Sequence, residues 1–198
     1  MIRKARVRNG RKTVKGFSLA EVLLSVAVLV IGILPVLLSM TRGFGASLRS
    51  RDIIAASELA QEGIELLKNV KDNNVLAGNE SLTAWLPASS SPWTANDCRI
   101  DIGVAALNSP GTDISCGQSS FDLSESGGSF RHTGTAGKYR RRIYLSYANN
   151  AQQEQVTCVS AVYWGTYSQV SSAAEIRANC RPAAGCVYAE STLTPWGL

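Results

Sequence analysis

One carboxylate, Glu21, stands in a run that is otherwise free of ionisable side chains from Phe17 to Met40. A carboxylate in the first turn of a bilayer-length segment is costly, so it calls for a function. The chemistry open to it is ion pairing, because an isolated charge in a low dielectric is strongly disfavoured. The run contains no base to pair with it. Other candidate groups are scattered. His132 is the only histidine and sits in a Gly/Ser/Thr-rich stretch without a Cys or acid beside it, which reads as a surface or turn residue rather than a catalytic base. Asp97, Asp101 and Asp113, with Asn96 and Asn108, do not match the spacing of a calcium loop and read as solvated turn acids. Gly-x-Ser-x-Gly, phosphate-binding glycine loops and His-Glu-x-x-His are absent, so the expectation is no enzyme, no cofactor and no metal.

The elements that must position Glu21 begin with a basic leader. Residues 1–14 carry Arg3, Lys4, Arg6, Arg8, Arg11 and Lys12 with no acid, and Lys15-Gly16 precedes Phe17. A helix from Phe17 to Met40 spans roughly 36 Å, enough for a hydrocarbon core. That run exceeds the apolar core of a secretory signal peptide, although Gly43-Phe44-Gly45-Ala46 offers small residues for cutting. A plain anchor would keep the leader on the cytoplasmic side. It leaves Glu21, and the Gly16 directly before Phe17, without a reason.

The order basic leader, Gly16, Phe17, Ser18, Leu19, x, Glu21, apolar stem resembles the class III signal of type IV prepilins and pseudopilins. The resemblance implies cleavage between Gly16 and Phe17 by a prepilin peptidase, N-methylation of Phe17, and Glu21 as the fifth mature residue. It also implies that the freed amino group of a neighbour's Phe17 pairs with Glu21. Such a pair acts mainly on register and subunit choice, because desolvation cancels much of its Coulomb gain. The implied partners are the peptidase, other pilin subunits and an inner-membrane assembly platform. The stem, with Phe17, Leu19, Val22, Leu23, Leu29, Ile31, Pro35 and Met40, would cross the membrane once before assembly, leaving the head extracytoplasmic. The head would later stand on a surface or envelope filament. Ile31-Gly32-Ile33-Leu34 before Pro35 is more similar to a minor, PilV-type subunit than to a major pilin.

The formal charge of +5 mirrors a nucleic-acid binder, yet the leader holds seven of the 20 basic residues and none of the 15 acids. The remainder carries −2, so the basic character is a topology signal and nucleic acid is not an expected partner. Five cysteines lie from Cys98 onward without a C-x-x-C pair, which disfavours zinc and thioredoxin-like chemistry. Beyond a membrane stem, disulfides are the expected use. The short spacings Cys98…Cys116 and Cys180…Cys186 suggest two local staples with Cys158 left over; pairing of Cys158 with Cys180 or Cys186 stays open.

After Met40 the chain reads as an amphipathic continuation of the helix. Ile53, Ala56, Ala60, Ile64 and Leu67 recur at helical spacing, with Leu59, Gly63 and Val70 beside them. Lys68 and Lys71 suit a helix end, and Asp72-Asn73-Asn74 reads as the stop. Pro35 is expected to kink or loosen the stem. Residues 77–97, with Pro87, Ser89-Ser90-Ser91 and Pro92, read as loop, with Trp85 and Trp93 pinning it to the core. Arg99–Leu107, Tyr139–Tyr147, Gln155–Trp164 and Val187–Leu193 read as strands, with turns at Gly127-Gly128, Gly134, Gly137 and Asn149-Asn150. Val170–Arg177 is either strand or helix. Alternation puts Arg140 and Arg142 on one face and Arg141 on the other, so the basic–aromatic patch with Tyr139, Tyr144 and Tyr147 is split. Its expected use is a solvated face or a contact to Glu58, Glu62 or Glu65 of a neighbouring copy. The predicted organisation is a leader at 1–16, a membrane or filament-core helix at 17–40, its continuation at 41–74 and a β-rich head at 75–198. The predicted fold is α+β, a long helix packed on a small, mainly antiparallel sheet. Ala60-Gln61-Glu62-Gly63-Ile64-Glu65, Tyr139-Arg140-Arg141-Arg142-Ile143 and Leu193-Thr194-Pro195-Trp196 extend the resemblance to prepilin-type heads.

Overall fold

A computed structural model of the chain describes residues 16, 18–78, 82, 93–101, 114–132, 135–150, 153–166 and 172–195. Helix α1 runs from Leu19 to Leu76, with Pro35 inside it. Ser18 starts it: its hydroxyl accepts from the Glu21 backbone N–H at 3.4 Å, the N-cap bond that satisfies an orphan donor. The chain divides into two compact units, one ending at Leu48 and one beginning at Arg49. In the first unit every described helical residue is exposed. Its helix contains an apolar window long enough to cross a membrane, none of it buried.

In the second unit α1 buries Ala56, Leu59, Ala60, Gly63, Ile64, Leu67, Val70 and Asn74, a stripe of three- and four-residue steps. The helix passes the predicted stop because Asn74 turns inward and donates its amide to the Val70 carbonyl at 2.8 Å. Gly78, at φ 87°, adopts the left-handed conformation and donates to the Val75 carbonyl, closing the end. With the extra turn, Lys68 and Lys71 do not cap the helix: Lys68 meets Glu65 at 2.9 Å and Lys71 donates to the Thr194 carbonyl at 3.3 Å.

Seven strands follow among the described residues: β1 Trp93–Ile100, β2 Ile114–Ser115, β3 Ser124–Ser126, β4 Ser129–Arg131, β5 Tyr139–Asn150, β6 Gln153–Trp164 and β7 Cys186–Leu193. Five form an antiparallel sheet in the order β2-β1-β5-β6-β7, and β3-β4 is a separate hairpin turned by Gly127-Gly128. The structure is thus α+β, with a long helix packed on a mainly antiparallel sheet.

Several boundaries differ from expectation. Strand β1 starts at Trp93, inside the predicted loop, because its pairing with β5 runs from Trp93↔Tyr147 to Cys98↔Ile143 across a bulge. Residues 102–107 of the predicted first strand, and Trp85, Pro87, Ser89–Ser91, Pro92, Asn108, Asp113, Gly134 and Trp196, lie outside the described residues. Asn149-Asn150 is the end of β5 rather than a turn, with Asn150 opposite Gln153. The ambiguous segment is a helix, α2 Ala173–Asn179, started by Ser172, whose hydroxyl accepts from the Glu175 N–H at 3.3 Å.

Tyr139, Ile143, Leu145 and Tyr147 of β5 and Val156, Cys158 and Val162 of β6 pack toward α1. Tyr144, Val159, Ala161 and Tyr163 face the other way, onto Ile176 of α2. The sheet therefore lies between the head part of α1 and α2. Disulfides join Cys98 to Cys116 and Cys180 to Cys186, and Cys158 is the free, buried thiol, which rules out the alternative pairings. Burial pushes the Cys158 thiol up to about 12, so it is an inert core residue.

Candidate functional site

The stem terminus is the first candidate. Glu21 lies in the first turn of α1, exposed, where a carboxylate also suits the positive end of the helix. Ser18-Leu19-Ala20-Glu21 has the S-x-x-E order of a capping box, and its Ser18 half is formed, the Glu21 backbone N–H donating to the Ser18 hydroxyl. Gly16 is exposed with open space around its Cα, while Phe17 lies outside the described residues. The predicted stem residues Leu19, Val22, Leu23, Leu29, Ile31 and Met40 are all exposed, and Pro35 is within the same helix.

The second candidate is a charged seam beneath α1. Arg141 points inward, as strand alternation requires, and is completely buried. Its Nη1 lies 3.3 Å from Oε2 of Glu62 and donates to the Leu59 carbonyl at 3.3 Å, while Nη2 donates to the Ile100 carbonyl at 2.8 Å. Glu62 and Arg141 thus pair within one chain. Burial lowers the Arg141 pKa from its ordinary value, and the charges of Glu62 and Asp101 offset part of that. The seam is reachable because Gly63 lets the helix approach: a Cβ there would sit 2.3 Å from the Ser160 hydroxyl oxygen.

His132 and Asp101 extend the seam and overturn two expectations. The His132 side chain is 1% exposed, with Nδ1 2.7 Å from Asp101 Oδ1 and Nε2 3.1 Å from the Arg141 carbonyl oxygen. The His132 backbone N–H donates to the same Asp101 oxygen at 2.9 Å. Asp101 is therefore a bound structural acid, not a solvated one. Burial pushes its carboxyl up, but the hydrogen bonds and charge of His132, helped by Arg141, outweigh this and hold it below the ordinary range. The histidine is 31 residues from its partner in sequence, so no local spacing could have announced the pair. Asp97 lies apart, its backbone carbonyl accepting from Gln118.

Asp101 and His132 are held to each other and to the Arg141 backbone by hydrogen bonds. A depression of about 480 Å³ on the α2 side of the sheet is lined by Thr94, Tyr144, Ser146, Thr157, Ser172 and Arg177. Its hydroxyls and one guanidinium, already bound to Glu190 at 2.5 Å, provide polar contacts. Among the described residues, no three His, Cys, Asp or Glu converge as metal ligands. No protein-family model, curated protein or solved structure matches this chain.

Proposed function

We propose that the chain is a prepilin-like structural subunit, a minor pilin whose stem is stored in the membrane, cut after Gly16 and drawn into a filament. The observation that carries this reading is the exposed apolar half of α1, which follows Gly16-Phe17 directly and holds Glu21 as its sole ionisable group as far as Met40. The other half of the same helix is the seat of the sheet. A stem with so much uncovered apolar surface needs lipid or other stems around it. In the membrane, lipid covers it; in a filament, neighbouring stems do.

The leader would hold the N-terminus in the cytoplasm until a prepilin peptidase releases the amino group of Phe17 and methylates it. That amine, arriving from an adjoining copy, supplies the counter-charge Glu21 lacks. Other pilins and an inner-membrane assembly platform complete the partners, with the head extracytoplasmic. Identical stems in staggered array make a heterologous contact, which grows into a fibre rather than a closed ring. A pseudopilin of a type II secretion or DNA-uptake system uses the same mechanics. A membrane-tethered extracytoplasmic enzyme or binding module is the reading of another class, and the hydroxyl-lined depression beside α2 is the feature that favours it.

Mass spectrometry of chain produced with its peptidase tests the proposal: the mature protein begins at methylated Phe17, and an intact Met1 would sink it. Glu21→Ala leaves membrane insertion unchanged but cuts incorporation into fibres by at least about tenfold, a loss that corresponds to about 1.4 kcal/mol in subunit matching. Normal incorporation of that variant removes the pairing role and leaves only the helix cap.

A further inference from the structure

The face of the sheet opposite α1 carries more positive charge than the Arg140-Arg141-Arg142 run implies. Cys98 stands opposite Ile143, so Arg99, the next residue of β1, falls beside Arg142, with Arg140 two residues along on the same face. The Arg142 guanidinium lies 4.7 Å from the Phe121 ring centre and 5.3 Å from that of Tyr144. Arg140 lies 5.8 Å from the Tyr163 ring centre. All three rings are buried, so they cannot stack on a nucleic-acid base. They hold the arginines in place by cation–π attraction instead. Asp122, whose backbone pairs with Arg140, leaves the patch net positive. A planar fork held this way suits carboxylates.

The complementary charge lies on the other side of the head. From Asp52 to Leu67, α1 has four acids and no base. Asp52 pairs with Lys138 and Glu62 with Arg141, both within the head. Glu58 and Glu65 remain on the outward stripe of α1 with Ile54 and Gln61, all exposed. The Glu65–Lys68 contact on that stripe is an exposed pair of little worth.

We propose that the Arg99/Arg140/Arg142 face of one copy docks on the Glu58–Glu65 stripe of a second copy. The two patches lie on opposite sides of one sheet. Each docked copy therefore presents a fresh stripe and a fresh arginine face, so the contact is heterologous and passes from copy to copy. Charge matching of this kind fixes register and speeds encounter more than it adds affinity. The inference rests on the filament reading and specifies its head-to-head contact.

The test uses the full chain, expressed in membranes with its peptidase, as two differently tagged copies. One carries Gln61→Cys and the other Arg140→Cys, and mild oxidation traps neighbours. A mixed cross-linked dimer is expected. Reversing the stripe with Glu58→Arg and Glu65→Arg lowers its yield by at least about fivefold, and adding Arg99→Glu and Arg142→Glu to the other copy restores it. Absence of the cross-link, or a yield indifferent to charge reversal, overturns the docking. The N-terminus of the same sample is read separately: Met1 there counts against the filament reading, whereas Phe17 without a cross-link leaves that reading standing and removes only the head contact.

Discussion

At the scale of single residues, the seam beneath α1 is the most demanding feature of the head. Arg141 is fully buried and survives there because Glu62, two backbone carbonyls and a glycine notch are placed around it. Breaking such a pair from one side leaves a buried charge without compensation, which costs far more than the pair contributes. Gly63 is the residue on which the approach depends. Gly63→Ala drives a methyl group into the Ser160 hydroxyl and toward the Arg141 Cδ, 3.2 Å away. The expected loss is about 1–3 kcal/mol, the usual penalty of overpacking, read as a lower urea midpoint with unchanged slope. The double variant Gly63→Ala, Ser160→Gly regains most of it; failure of the second change to rescue the first would mean that the notch is not what the site needs. Alternation along Tyr139–Tyr147 set Arg141 apart from Arg140 and Arg142 in the sequence, without saying which face is buried. It could not name Glu62 as the partner, because that contact depends on how the helix lies across the sheet. Asp101 and His132 meet for the same kind of reason.

At the scale of elements, periodicity located the long helix and three of the strands well, missed the short strands β2, β3 and β4, and erred at the ends of others. Helix α1 gained a turn because Asn74 found a backbone partner instead of acting as a breaker. Strand β1 began early because pairing with a long neighbour outweighs weak local propensity. The same edge shows how little pairing some elements have: β2 meets β1 over two residue pairs. The Cys98–Cys116 bridge, 18 residues apart, holds this edge by limiting the unfolded chain. Replacing both cysteines by serine should cost about 3 kcal/mol, with amide protection falling first along β1 and β2 while β5 and β6 keep theirs. Uniform loss across the sheet would instead show that the bridge stabilises the whole head as one unit.

At the scale of the whole molecule, the chain is built from two parts that answer to different surroundings. Every buried residue of α1 lies at Ala56 or beyond, and the apolar side chains from Leu19 to Leu48 are exposed among the described residues. The sequence made this division legible through one change, the return of charges at Arg42, Arg49, Arg51 and Asp52 after the apolar run. What it left open is where the head begins, since one unbroken helical period serves both parts. The compact unit starts at Arg49, whose guanidinium donates to the Ala183 carbonyl at 2.8 Å, and Asp52 adds the Lys138 pair and accepts from the Tyr139 hydroxyl at 3.3 Å. A chain beginning at Arg49 therefore keeps the whole core and these ties. It is expected to be soluble without detergent and to unfold in one cooperative step, its midpoint within about 4 °C of the head transition in the full chain, which corresponds to at most about 1–2 kcal/mol. Starting instead at Ile53 removes both ties while leaving the apolar stripe intact, and the midpoint falls further. Equal midpoints for the two truncations would place the boundary of the head inside the helix beyond Asp52, and would reduce Arg49 and Asp52 to surface contacts.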